Sequence, residues 1–190
     1  MSFRSTLILI AILFLLGGFI FISEARKPKD TYTEAPEVWS VEEESIIGID
    51  IALPSEEKSV SFVIGKDEYW YFNDAELSPV DLARWGGIVL LVTGPASRRQ
   101  IADKVAHPED FGMVKPSLTV KLSLTGRKPL EILVGDPTPN EEHYYIMVKG
   151  GDPLYIVHRS WHEVFTRLVR EPPHPPVKRV KVPPELEGKL

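Results

Sequence analysis

Apolar and polar positions divide this chain into stretches of quite different character. From Leu7 to Ile22, sixteen residues pass without a polar side chain, among them five Leu, five Ile and three Phe. On an insertion scale those thirteen together contribute at most about -4 to -8 kcal/mol. At about 1.5 Å per residue the run covers about 24 Å, and Ser5, Thr6 and Ser23 at its ends extend it toward a full span. It lacks the polar face that a soluble surface helix needs. The expectation is a membrane anchor over residues 1–26, with the lipid bilayer as the partner of residues 7–22. Arg4 and the small-x-small triplet Ser23-Glu24-Ala25 also fit a signal peptide cleaved after Ala25. The length of the apolar run favours an uncleaved anchor. Arg26, Lys27 and Lys29 follow the run and only Arg4 precedes it, so the positive-inside rule alone keeps the remainder cytoplasmic.

Residues 27–44 contain Pro28, Pro36 and many polar side chains, and read as a linker. An α+β domain is expected over 45–170, mostly of antiparallel strands. Ile47, Ile49, Ile51 and Leu53 alternate with Gly48, Asp50 and Ala52, the period of a half-buried strand. Val60–Ile64 and Glu68–Phe72, rich in β-branched and aromatic residues, predict a hairpin turning at Gly65-Lys66-Asp67. A helix is expected next, with Ser78 as its cap, Pro79 at its first position and Asp81 three residues after the cap. Leu82, Trp85, Ile88, Val89 and Val92 then share one side, and Gly86-Gly87 marks close packing or an early break. Arg98–Val105 fits strand and helix alike. Leu118–Leu124, Leu130–Val134, Tyr144–Lys149 and Leu154–Val157, joined by short turns, predict a four-strand meander. A last helix opens at Ser160 with Glu163 completing a capping box, and buries Trp161, Val164, Phe165 and Leu168. Residues 171–190 hold six prolines with Lys178, Arg179 and Lys181, and are expected to be an extended or disordered tail.

Charge and composition exclude more than they assign. Asp30–Glu57 carries nine acidic residues and no Lys or Arg, which argues against nucleic acid as a partner. With no cysteine there is no disulfide, thiolate nucleophile or cysteine-based zinc site. The remaining motifs read as structure. Asp110-Phe111-Gly112 spells the magnesium triplet of protein kinases without that fold's other motifs, and is expected to be a turn whose Phe plugs the core. His158 and His162 are four apart, but a helix beginning at Ser160 leaves them out of register for a metal. Asp136, Thr138, Asn140 and Glu142 alternate in a loop that lacks the glycine and closing glutamate of a calcium site. Ser55-Glu56-Glu57-Lys58 has the Ser-x-x-Lys spacing of penicillin-recognising enzymes without their partner motifs. No catalytic, cofactor or metal residue is therefore expected. The candidate surface is aromatic: Tyr69 and Tyr71 point to one face of a strand, Trp70 and Phe72 to the other.

The order of these elements resembles the domain of unknown function 4340 family. Carrying the resemblance are a helix opening near Ser78, then Asp110-Phe111-Gly112-Met113-Val114-Lys115-Pro116, similar to that family's aromatic-Gly-Leu-x-x-Pro junction, then Ile132-Leu133-Val134-Gly135, Tyr144-Tyr145 and Leu154-Tyr155-Ile156-Val157 before a final helix. It covers residues 68–168, with Met113 where the family more often has Leu. The resemblance implies an N-terminal membrane segment, an extracytoplasmic domain and no known activity; some members occur beside components of gliding-motility-type ABC transport systems. The resulting expectation is a membrane-tethered, non-enzymatic accessory or scaffolding domain of a cell-envelope complex, with a membrane or envelope protein as partner. The rival readings are an envelope hydrolase using converging carboxylates and a secreted binding protein.

Overall fold

Alternation along the chain builds one sheet. The computed structural model describes residues 16–18, 36–95, 97 and 99–176. Two units divide the chain, Met1–Glu34 and Ala35–Leu190. Of the first only residues 16–18 are described, and they are helical, so the predicted anchor lies largely outside the described residues. Among the described residues no helix is long and apolar enough to cross a membrane.

The second unit contains strands β1 (Ile46–Leu53), β2 (Lys58–Ile64), β3 (Trp70–Phe72), β4 (Arg99–Ala102), β5 (Leu118–Leu124), β6 (Leu130–Pro137), β7 (His143–Val148) and β8 (Leu154–His158). Its helices are α1 (Leu82–Trp85), α2 (Ile88–Thr93) and α3 (Arg159–Arg170). The eight strands form one sheet in the order β3-β2-β1-β5-β6-β7-β8-β4, and the pairs run antiparallel. The architecture is the expected α+β, and the meander β5 to β8 stands as predicted. The segment that fitted strand and helix alike becomes β4, an edge strand on β8. Between β3 and β4 the chain crosses from one edge of the sheet to the other, carrying α1 and α2 on the way.

One face holds the main core. Ile49 and Ile51 of β1 lie opposite Phe62 and Val60 of β2 and Leu122 and Val120 of β5, and Ile132, Val134, Ile146 and Val157 continue the apolar surface. Helix α3 covers it with Trp161, Phe165, Leu168 and Val169, and α1 and α2 add Trp85, Ile88 and Val92. Packing starts ahead of Ser45. Val38, Trp39 and Val41 belong to this core, and the Trp39 indole donates 2.8 Å to the Val92 carbonyl. It also runs past Arg170, where Pro173 accepts from the Asp81 amide and His174 stacks on Phe72.

Three local expectations are corrected. Ile47 does not face the core: a bulge between Ile46 and Gly48 against β5 turns Ile46 inward and leaves Ile47 41% exposed. The first helix is not capped by Ser78. Ser78 and Pro79 are taken up beside β3, through Phe72 N–H to the Ser78 carbonyl and a Tyr71–Pro79 bridge, so Asp81 becomes the cap and accepts from the Ala83 amide. Gly86 and Gly87, the latter at φ +80°, then split the expected helix in two and leave Leu82 exposed. Likewise β8 runs straight into α3, so His158 rather than Ser160 is the cap. Its ring accepts from the Ser160 amide, while Glu163 pairs with Arg159 at 2.7 Å instead of closing a capping box.

Candidate functional site

The second face of the sheet is open over part of its width. Residues opposite one another share a face, so the register defines rows across the strands. Tyr71, Val63, Gly48 and Ser123 form the first row. Ser61, Asp50, Lys121 and Glu131 form the second, and Ser59, Ala52, Thr119 and Leu133 the third. Over β2, β1 and β5 these residues are small or charged, and apart from the buried Gly48 they range from half-buried to exposed. The middle row alternates in sign. The Ser61 hydroxyl donates to Asp50, Asp50 lies opposite Lys121, Lys121 lies opposite Glu131, and Lys149 pairs with Glu131 at 2.7 Å. Asn73 adds an amide bonded to Ser61. These rows carry hydroxyls and charges of alternating sign across three strands.

The aromatic quartet divides between the two faces. Trp70 and Phe72 turn into the main core, where Trp70 meets Trp85 at 5.3 Å and Phe72 meets Phe62 at 5.2 Å. Tyr69 is 56% exposed. Tyr71 stands at the border of the open face, and its hydroxyl donates 2.6 Å to Asp67. That bond holds the Asp67 carboxyl below the usual carboxylate range and raises the Tyr71 phenol. Tyr71 therefore borders the hydroxyl-rich rows, Tyr69 is exposed ahead of β3, and the other two members are core.

The rest of this second face, over β6, β7, β8 and β4, is covered by the segment between β4 and β5. Pro108–Phe111 makes a short 3₁₀ turn and Gly112 follows at φ +74°. Phe111 meets Tyr145 edge-on at 4.9 Å, and Met113 joins Met147 and Leu154 in a second small core. Asp110-Phe111-Gly112 is thus a turn, with Phe111 half-buried in that cluster. A Cβ on Gly112 would approach Asp136, and one on Gly135 would overlap the Phe111 carbonyl, so the junction and β6 are in backbone contact.

The other sequence motifs remain local. Thr138 donates to Asn140, and Asn140 to Glu142, so that loop satisfies its own oxygens. Ser55 lies in a 3₁₀ turn whose Glu56 binds both Lys58 and Arg170, and those two cations hold its carboxyl below the usual range. His158 is drawn toward His143, ring centroids 5.6 Å apart, whereas His162 stacks flat on Tyr144 at 3.9 Å. Among the described residues no group of three His, Cys, Asp or Glu side chains is placed to hold a metal.

Sequence reasoning did not reveal the surroundings of His162. Its Nε2 lies 3.3 Å from the Ser117 hydroxyl and its Nδ1 3.5 Å from Thr166, in a hollow of about 470 Å³ lined also by Arg159, Glu163 and Arg170. Burial pushes its pKa down to about 4, with Arg170 adding to the effect. The Ser117 hydroxyl donates 2.7 Å to the Gly135 carbonyl, and among the described residues Nδ1 meets the Thr166 hydroxyl. The neutral imidazole links α3 to the start of β5. Its positions are 45 residues apart, with no local periodicity to join them.

A family model described as Domain of unknown function (DUF4340) matches residues 70–171. The chain belongs to this family. No curated protein and no solved structure matches it. In this member of the domain of unknown function 4340 family, the matched region takes in β3 to β8 and helices α1 to α3. The junction Asp110–Pro116, Gly135, Tyr145 and Leu154 meet in or against the second small core. Those residues therefore shape the covered half of the sheet, and strands β1 and β2, which make most of the open half, precede the match.

Proposed function

We propose that this protein is a membrane-tethered, non-enzymatic accessory module of a cell-envelope complex, held by residues 7–22 with its domain outside the cytoplasm. The reading rests on one structural observation: half of one sheet face, over β2, β1 and β5, presents Ser59, Ser61, Asp50, Thr119, Lys121 and Ser123 toward solvent. That face, bordered by Tyr71 with Tyr69 exposed ahead of β3, is the docking surface for a membrane or envelope protein. An ABC transport component is one candidate partner, since the resemblance implies that some members of this family occur beside such components. The sixteen-residue apolar run supports the tether on energetic grounds.

Site-specific photocrosslinkers in native membranes test it. Placed at Ser61 and Ser123, they are expected to capture one and the same membrane or envelope protein. Lys121→Glu is expected to remove that capture, and a crosslinker at Arg127, on the turn after β5, to give none. Capture of nothing from the sheet face, together with a hydrolytic activity of the purified chain, would overturn the proposal in favour of an envelope hydrolase.

A further inference from the structure

A second surface, away from the open sheet face, has the chemistry of a lipid contact. Between α2 and α3 runs a groove in two parts that share Leu91 and Val164. The first, about 320 Å³, is lined by Leu90, Pro95 and Trp161 among others. The second, about 260 Å³, adds Ile88 and Leu168 and ends at Arg84, Arg167 and Glu171. Leu90 is 66% exposed and Leu91 38%, on a helix whose Ile88 and Val92 are buried and whose Val89 is half-buried. Arg84 uses part of its guanidinium on the Pro172 and Glu171 carbonyls, and Arg167 is exposed and makes no ion pair among the described residues.

Two observations select the occupant. Exposed leucines beside arginines complement an anionic bilayer, which takes leucine into the headgroup–acyl boundary and offers phosphate oxygens to guanidinium groups. The chain also comes into the domain on this side. The Pro36 carbonyl accepts from the Ser97 amide, the Trp39 indole donates to Val92, and the Val41 amide donates to Thr93, at the end of α2 beside Leu90. On the membrane-tethered reading, on which this inference rests, the residues between Ile22 and Pro36 reach at most about 45 Å.

We propose that the α2–α3 surface rests on the bilayer, with Leu90 and Leu91 in the headgroup–acyl boundary and Arg84 and Arg167 on anionic lipid phosphates. The tether and this contact together hold the domain on the membrane, with the open sheet face, on the other side of the sheet from α2 and α3, turned away from the lipid toward the extramembrane part of a partner.

The absence of cysteine allows single-site labelling of the full chain. Leu90→Cys carrying an environment-sensitive fluorophore is reconstituted in phosphatidylcholine–phosphatidylglycerol vesicles, with Pro95→Cys as a second position and Arg127→Cys as the reference. The first two probes are expected to shift to the blue, respond to a lipid-borne quencher and resist aqueous iodide severalfold better than the third. Arg84→Gln with Arg167→Gln, or vesicles of phosphatidylcholine alone, are expected to remove most of that protection. Probes at 90 and 95 that iodide quenches as fully as the one at 127, in a chain that resists alkaline carbonate extraction, would overturn the lipid contact while leaving the tether intact. A chain released by carbonate would overturn both. Protection that rises with protein concentration at fixed lipid would assign the surface to a second copy and overturn the proposal.

Discussion

The carbonyl of Phe111 lies directly against the backbone of Gly135, where any side chain would overlap it. This contact joins the turn before β5 to β6 and closes the second small core over Met113, Met147 and Leu154. Gly135→Ala is expected to destabilise the domain by about 1–3 kcal/mol, the range for overpacking a tight site. Gly86→Ala is the control. Its Cβ would meet only the Leu82 carbonyl at 3.6 Å, and a change within about 0.5 kcal/mol is expected. Urea denaturation of the two variants measures both.

Trp39 tests whether the segment ahead of β1 is part of the fold. It is 8% exposed, meets Trp161 edge-on at 6.1 Å and donates to the Val92 carbonyl. Trp39→Ala is expected to cost about 3–5 kcal/mol. Trp39→Phe keeps much of the ring but strands the carbonyl, at a cost of about 1–3 kcal/mol. If both variants melted with the parent chain, residues 36–41 would be no part of the core.

Much of this was legible because the meander alternates cleanly. Leu118, Val120 and Leu122 against Thr119, Lys121 and Ser123 fix both the strand and its inward face. Ile47 was misread because a bulge shifts the face by one residue, and the bulge arises from pairing with β5, seventy and more positions away. Helix starts were misread for a related reason. Ser78 and Ser160 are good caps in isolation, but tertiary bonds engage Ser78 beside β3 and β8 leads directly into α3. Of the aromatic quartet, the alternation of faces was readable from the strand period, whereas which face would be core depended on Trp85 and Phe62. The rows of the open face were readable strand by strand but not as a surface, since strand order is a long-range property.

His162 makes stability depend on pH in a defined direction. Its folded pKa, pushed down to about 4, lies below the ordinary 6.5, so the folded state resists taking up a proton that the unfolded chain accepts. The contribution is complete above pH 6.5 and is lost as pH falls toward 4. Carboxylates with lowered pKa, such as Glu56, add their own losses only below 4.5. The urea midpoint is therefore expected to decline between pH 6.5 and 4.5, and His162→Gln to flatten that decline. An unchanged slope in the variant would remove His162 as its cause.

Glu56 and Arg170 tie the turn after β1 to the end of α3, and Arg170 donates through two nitrogens. Both groups are on the surface, so salt screens the pair. Glu56→Gln is expected to lower the melting temperature slightly in low salt and to leave it unchanged in high salt. A loss that persists in high salt would point to packing rather than charge.

The proposed role requires the chain to be held in a membrane. Alkaline carbonate extraction of membranes carrying the intact, full-length chain tests it most directly. The chain is expected to stay in the membrane pellet and to leave it only with detergent. Recovery of the intact chain, still bearing residues 7–22, in the aqueous fraction without detergent would contradict the proposed role.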